Sequence, residues 1–447
     1  MQIAMISLGC AKNQVDSELM QGLLCTRGDT LVNEHTQADV VIVNTCSFIT
    51  AAKEESIEAI LRAARLKQGR CKALVVTGCL SQRYAAELMG EIPEIDALVG
   101  TNSFPSIGEV IDRAVRGERV TAVDGVAYAY EDEIERTPTE IYSVYVKVAE
   151  GCDNICSYCV IPLVRGKYRS RRMESIVREV LSLAQKGARE INLIAQDTTH
   201  YGCDLYGESR LPELLTQLSQ ISEVAWLRVL YCYPDGFTPE LIGAISSLPR
   251  VCKYIDLPLQ HINQRVLADM NRRGTPAEIS RLLMELRAQI EDVTIRTTFI
   301  VGFPGETEAE FLELRDFVAE GWFDHVGVFK YSREEGTPAE TMPNQISEEV
   351  KDLRYHELMA LQQKVSQRRN QRFVGQTVDV LVEEPWPKGL GIKGRARKDA
   401  PLVDGAVYVR DTSASKGQLI RAHIEEALEY DLLGVVAGES SQSDYVV

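Results

Sequence analysis

Short apolar runs alternate with amphipathic segments through the first third of the chain. IAMISLGC (3–10), DVVIVNTC (39–46) and ALVVTGC (73–79) are β-type runs, and each ends in cysteine. SELMQGLL, EESIEAILRAARL and SQRYAAELM follow them with helical apolar spacing. The alternation predicts a parallel sheet with helical crossovers. In such a sheet the C-terminal ends of the strands share one edge, where open α/β sheets bind ligands, so Cys10, Cys46 and Cys79 are expected to meet there.

YEDEIERTPTE (130–140) is acidic, contains proline and has no apolar period, which marks a linker. Alternation then resumes. YSVYVKVA (142–149), EINLIAQD (190–197), WLRVLYCY (226–233), YIDLPLQ (254–260), VTIRTTFIVGF (293–303) and HVGVFKYS (325–332) are strand candidates with helical stretches between them. Six β-α units predict a partial, TIM-like (β/α)6 barrel with its chemistry at the strands' C-terminal ends. A long polar helix over 347–373 closes or follows it. Short strands with Gly, Pro and Asp turns over 375–437 predict a small closed β-barrel, and GESSQSDYVV a frayed tail. The fold class is therefore α/β, expected to divide into a sheet domain (1–128), linker (129–140), barrel with closing helix (141–373), small β-barrel (374–438) and tail (439–447).

With 447 residues the chain exceeds one ordinary core, and 45% hydrophobic with 26% charged residues is normal for globular protein. Its net charge of −16 argues against strong general nucleic-acid binding, since no overall positive field compensates phosphate. No apolar run reaches the ~18–20 residues that span a bilayer. The N-terminus MQIAMISLGC lacks a basic leader region, so a cytoplasmic protein without membrane contact is expected. In that compartment the 11 cysteines are ligands, reactive thiols or core residues rather than disulfides.

Three of them form a C-x3-C-x2-C in AEGCDNICSYCVIPLVRGKYRSRR (149–172), on the loop after the first barrel strand. A structural zinc site closes with four side chains, and no second pair follows Cys159 at such spacing. A cubane iron–sulfur cluster on Cys152, Cys156 and Cys159 would leave one iron open for a cofactor or substrate. Cys10, Cys46 and Cys79 repeat the arithmetic: one cysteine at a strand end is ordinary packing, but three at equivalent points favour a ligand set. Cys25, Cys71, Cys203, Cys232 and Cys252 read as core or loop thiols.

C-x3-C-x2-C at the start of a β/α barrel resembles the signature of radical S-adenosylmethionine (SAM) enzymes. The resemblance implies that SAM chelates the open iron and is cleaved by a cluster electron to a 5′-deoxyadenosyl radical, which takes hydrogen from an unactivated carbon. It places Tyr158 near the adenine. Gln196 and Asp197, at the end of the second barrel strand, and Gly302, in VGFPGE, are candidate SAM contacts; strand-end capping and a Pro-Gly turn are the ordinary alternatives. Arg165, Lys167, Arg169, Arg171 and Arg172 would bind an anion or form a solvated face, and His261 is a candidate pocket residue.

SLGCAKNQVDSELM (7–20), NTCSFITAAKEESIEAI (44–60), TGCLSQRY (77–84), IPEIDALVG (92–100) and VGFPGETEAEF (301–311) resemble the methylthiotransferase family, and the C-terminal barrel resembles a TRAM domain. The likeness runs from about residue 3 to 437. It implies two 4Fe–4S clusters, SAM, and a sulfur co-substrate on the cluster of Cys10, Cys46 and Cys79. One SAM methylates that sulfur and another makes the radical, with an electron donor and a sulfur source as partners. IAQDTTHYGCDLYG (194–207), WLRVLYCYPDG (226–236) and DAPLVDGAVYV (399–409) are similar to the branch that modifies the β-carbon of an aspartate in ribosomal protein S-twelve, free or in the small subunit. Residues 375–447 carry 8 Lys/Arg against 12 Asp/Glu, which suits a basic protein better than tRNA. The local group Lys388, Lys393, Arg395, Arg397 and Lys398 keeps the tRNA alternative open, and a non-catalytic iron–sulfur protein is the other.

Overall fold

The computed structural model describes residues 1–123 and 134–438. The expected boundary at 128/129, the first part of the linker and the tail at 439–447 lie outside the described residues. The N-terminal unit is a six-stranded parallel sheet in the order Thr30–Leu31, Gln2–Ser7, Val40–Thr45, Ala73–Gly78, Ala97–Val99, Val120–Ala122. Val40–Thr45 and Ala73–Gly78 are buried along their whole length, as unbroken apolar runs require when helices cover both faces.

The central unit has six strands: Ser143–Lys147, Glu190–Ile194, Trp226–Val229, Tyr254–Asp256, Thr294–Val301 and His325–Lys330. They form two parallel three-stranded ladders. A lone bridge from Leu227 to Val251 links the ladders into an open barrel. The helix Glu348–Asn370 runs along its last strand. Asp324, just before that strand, fastens the helix and its extension through Arg369 at 3.0 Å and Arg372 at 3.1 Å. No helix among the described residues is long and apolar enough to cross a membrane.

The C-terminal unit is a closed barrel in the order Thr377–Trp386, Gly391–Ala396, Val407–Arg410, Leu432–Val436, Leu419–Ala427. Its segment Arg395–Asp404 plugs the N-terminal end of the central barrel and touches all six strands. Arg395 reaches Ser143 at 3.4 Å and Glu190 at 2.6 Å, and Arg228 donates to Arg397 O at 2.9 Å. Asp404 accepts from Tyr254 Oη at 2.5 Å and pairs with Arg296 at 3.3 Å, while His325 faces Asp399 at 3.5 Å. Three members of the basic group are thereby spent inside the protein. Arg395 binds Glu190 and Glu383, Arg397 donates to Pro249 O, and Lys398 pairs with Asp399. Lys393 pairs with Glu384 at 2.8 Å, so these four side chains are committed to partners within the chain.

Two ties hold the sheet domain against the central barrel. Glu334, in the loop after the last strand, receives Lys53 and Arg83, each at 2.9 Å. Arg136, at the end of the linker, is buried between Glu18 of the sheet domain and Glu179 of the barrel.

Candidate active site

Cys10, Cys46 and Cys79 follow three adjacent strands of the N-terminal sheet, so their backbones arrive together at its edge. Cys46 is pinned through both backbone groups: its N–H donates to Ser56 Oγ and its carbonyl accepts from the same hydroxyl, each at 3.0 Å. Gly9 has φ +88°, and a side chain there would meet Cys46 Cβ at 2.8 Å, so only glycine lets the Cys10 loop lie against Cys46. Asn13 knits the three ends. Its Nδ2 donates to Leu8 O at 3.1 Å and Thr45 O at 2.8 Å, and its Oδ1 accepts from the Cys79 thiol at 3.6 Å.

Cys152, Cys156 and Cys159 lie on the loop beyond the first barrel strand. Ile161 N–H points at Cys159 Sγ (3.5 Å) and Arg272 at Cys156 Sγ (3.9 Å). The short helix Ile161–Arg165 follows at once, and its Val164, with Val160 just before it, packs on Cys79 of the other trio. Arg165 ends the helix. Its Nη1 donates to both Glu150 oxygens at 3.0 Å; its Nη2 reaches Asn13 Oδ1 at 2.6 Å, Asp16 at 3.1 Å and Cys79 Sγ at 3.6 Å. Lys147, fully buried, pairs with Asp16 and Glu150. Burial alone would raise the Glu150 carboxyl, but Arg165 and Lys147 beside it hold it well below the usual range. Each trio thus has one guanidinium against a sulfur, and an ionic network of Arg165, Lys147, Asp16 and Glu150 joins the sheet domain beside Cys79 to the barrel segments that flank the other trio.

Gln196 and Asp197 reach the same mouth but are already engaged. Gln196 Nε2 donates to Glu150 at 2.8 Å while its Oε1 is buried with no partner among the described residues. Asp197 accepts from Asn154 of the cysteine loop at 2.8 Å and from Thr199 at 2.6 Å, so it positions that loop. Tyr158 packs beside Phe303 and Tyr331. Gly302 has φ +72° and donates to Glu306 at 2.7 Å; a side chain there would meet Lys351 Cγ at 2.3 Å. Arg165 and Arg171 of the basic run are buried against carboxylates rather than solvated. His261 is fully buried, and burial pulls its imidazole down to about 3, a neutral core residue. Of the remaining cysteines, Cys71, Cys232 and Cys252 are buried and Cys203 is half-buried, whereas Cys25 is exposed on its helix. Asn13, Lys147 and Glu150 were not singled out beforehand. A lysine inside the apolar run YSVYVKVA was the available signal.

Among the described residues no three His, Cys, Asp or Glu side chains converge tightly enough to hold a single metal ion. A cubane binds its thiolates at separate irons and spreads them further. The donor chemistry fits such a group. Burial pushes the Cys79 and Cys159 thiols up to about 12 and Cys152 to about 11, so these sulfurs stay protonated until a cation replaces the proton.

Three family models match the chain: "Uncharacterized protein family UPF0004" over residues 2–100, the radical SAM superfamily over 146–318, and the TRAM domain over 374–437. A protein of Desulforamulus reducens is 51% identical over 440 residues, covering 97% of this chain and 99% of its own. One of Syntrophotalea carbinolica is 50% identical over 445 residues, covering 99% and 98%. Both are named ribosomal protein uS12 methylthiotransferase RimO. Among solved structures the radical SAM methyltransferase TsrM of Kitasatospora setae aligns with a TM-score of 0.56 over 76% of each chain at 16% identity. OxsB, a cobalamin-dependent radical SAM enzyme, aligns at 0.51 over 81% of this chain and 56% of its own at 11% identity. These two likenesses are of fold. Sheet domain, open barrel and closed barrel together make a radical SAM enzyme that transfers methylthio groups. The chain belongs to the RimO family of methylthiotransferases.

Proposed function

We propose that the enzyme converts a C–H bond at the β-carbon of an aspartate in ribosomal protein uS12 to C–SCH3. In this reading Cys152, Cys156 and Cys159 would hold one 4Fe–4S cluster, with SAM bound beside it, and Cys10, Cys46 and Cys79 would hold a second that would take the sulfur. The observation that supports it best is Arg165, which ends the helix after one trio and touches Cys79 of the other. Two sulfur-ligand sets whose flanking segments share one buried network can work on one substrate atom. The uS12 substrate rests on the names of relatives about half identical over nearly the whole chain.

When bound, the clusters and SAM supply the hydrogen-abstracting radical and the methylated sulfur. The chain supplies position and electrostatics. Asp197 and Arg273, both bonded to Asn154, hold the barrel's cysteine loop. Arg272 and Arg165 place positive charge beside Cys156 and Cys79. Gln196 Oε1 and the hydroxyls of Ser47 and Ser81, buried with no partner among the described residues, offer polar contacts at the mouth. An external electron donor and an external sulfur source complete the balance.

The test offers uS12 and bulk tRNA together to anaerobically reconstituted enzyme with SAM, sulfide and reductant. Mass spectrometry is expected to find a methylthio group on an aspartate of uS12. A methylthio-adenosine on tRNA would overturn the substrate while leaving the chemistry.

A further inference from the structure

Lys12 carries the charge at this mouth that, among the described residues, no carboxylate pairs; the Cys10 sulfur and, further off, Asp256 and Glu150 are the acidic groups that favour its charge. It lies on the first turn of the helix that begins after Cys10 and is only 6% exposed. Its Nζ sits over the ring of Tyr231, and among the described residues no carboxylate or other acceptor pairs with it. The other buried charges around it are matched: Arg165 and Lys147 by Asp16 and Glu150, and Arg296 by Asp256. Burying an ammonium without a carboxylate partner is costly, and an anion brought to it would offset that cost.

Tyr231 is held in place at a cost of its own. Its φ of +61° is a left-handed conformation rare for a bulky residue. Its N–H donates to Asp256 Oδ2 at 2.9 Å, which fixes it just past the strand Trp226–Val229, at the C-terminal edge of the barrel. The ring attracts the ammonium through one face and engages the N–H turned toward it, so the N–H donors that point away remain for another partner.

We infer that Lys12 receives the carboxylate of the residue to be methylthiolated, selecting an acidic side chain over its amide and seating it beside Cys10. This rests on the protein-substrate reading above. A carboxylate both neutralises the ammonium and accepts charge-assisted hydrogen bonds. An asparagine side chain would leave the buried charge uncompensated, and discrimination follows from that difference.

The experiment uses fully loaded enzyme, wild type and Lys12→Gln, Lys12→Met and Lys12→Arg. Each is offered uS12 and a uS12 variant with asparagine at the modified aspartate. Iron per chain, SAM cleavage, KM and kcat are measured. Wild type is expected to favour the aspartate form by about 100-fold or more in kcat/KM. Lys12→Gln and Lys12→Met should keep iron and SAM cleavage, lose about 100-fold on the aspartate form, chiefly through KM, and treat the two forms alike. Lys12→Arg should retain the preference. An undiminished preference in the neutral variants with iron intact overturns the inference and leaves the substrate reading standing. Loss of iron from both neutral variants also overturns it, assigning the ammonium to the cluster thiolates. If wild type modifies neither form, the substrate reading falls and takes this inference with it.

Discussion

Arg165 directs a guanidinium N–H at Cys79 Sγ, 3.6 Å away across the boundary between two domains. The same side chain neutralises Glu150 and Asp16, so the helix after one cysteine loop carries the charge that settles the other. Arg165→Ala should leave both carboxylates short of a partner in a buried site and cost about 3–5 kcal/mol. Thermal melting of the metal-free protein checks this, and an unchanged melting temperature would contradict it.

Separate ligand sets should lose iron separately. The triple variant Cys152→Ala, Cys156→Ala, Cys159→Ala is expected to retain about four irons per chain and to cleave no SAM. The triple variant at Cys10, Cys46 and Cys79 should also retain about four irons, yet still produce 5′-deoxyadenosine without methylthio product. Iron assay and chromatography distinguish them; methylthio transfer by the second variant would refute the division of roles.

Glu190 binds Arg395 and Arg228 where the C-terminal barrel meets the central one. Burial opposes its charge, but the two guanidiniums lower its carboxyl from 4.5 to about 2. Because the folded value is depressed, its stabilisation is fully present above about 4.5 and is lost as pH falls from there through about 2. At ~1.4 kcal/mol per pH unit the loss approaches about 3 kcal/mol. Urea unfolding between pH 7 and 3 should show a flatter acid limb in Glu190→Gln than in wild type. Equal slopes would remove Glu190 from the acid response.

Glu334 is 1% exposed and receives Lys53 and Arg83 from the sheet domain. Glu334→Ala strands Arg83, which keeps bonds to Ser47 O and Glu335 O, so a cost of about 3 kcal/mol is expected. Loosened docking should spare SAM cleavage and depress methylthio product. Equal loss of both activities would mean that the contact serves the barrel alone.

The central strands, and the placement of Cys10, Cys46 and Cys79 at one sheet edge and of Cys152, Cys156 and Cys159 on one loop, were legible because each rests on a local pattern: an apolar run ending in cysteine, or three cysteines close in sequence. Thr30–Leu31, Ala97–Val99 and Val120–Ala122 escaped notice because strands of two or three residues are too short to show a period. Arg395 was read with an exposed basic group because its partner, Glu190, lies 205 residues away. Residue type alone says nothing about such a partner. Lys147 and Lys12 were missed for the same reason. Each stands in or beside an apolar segment, and only the assembled domains reveal that one is neutralised and the other is not.

The segment Arg395–Asp404 stoppers the central barrel at the N-terminal ends of its strands and grips all six of them. Of the barrel's two ends the chain itself occupies one, so the opposite, cysteine-bearing end is the one left for reactants to approach.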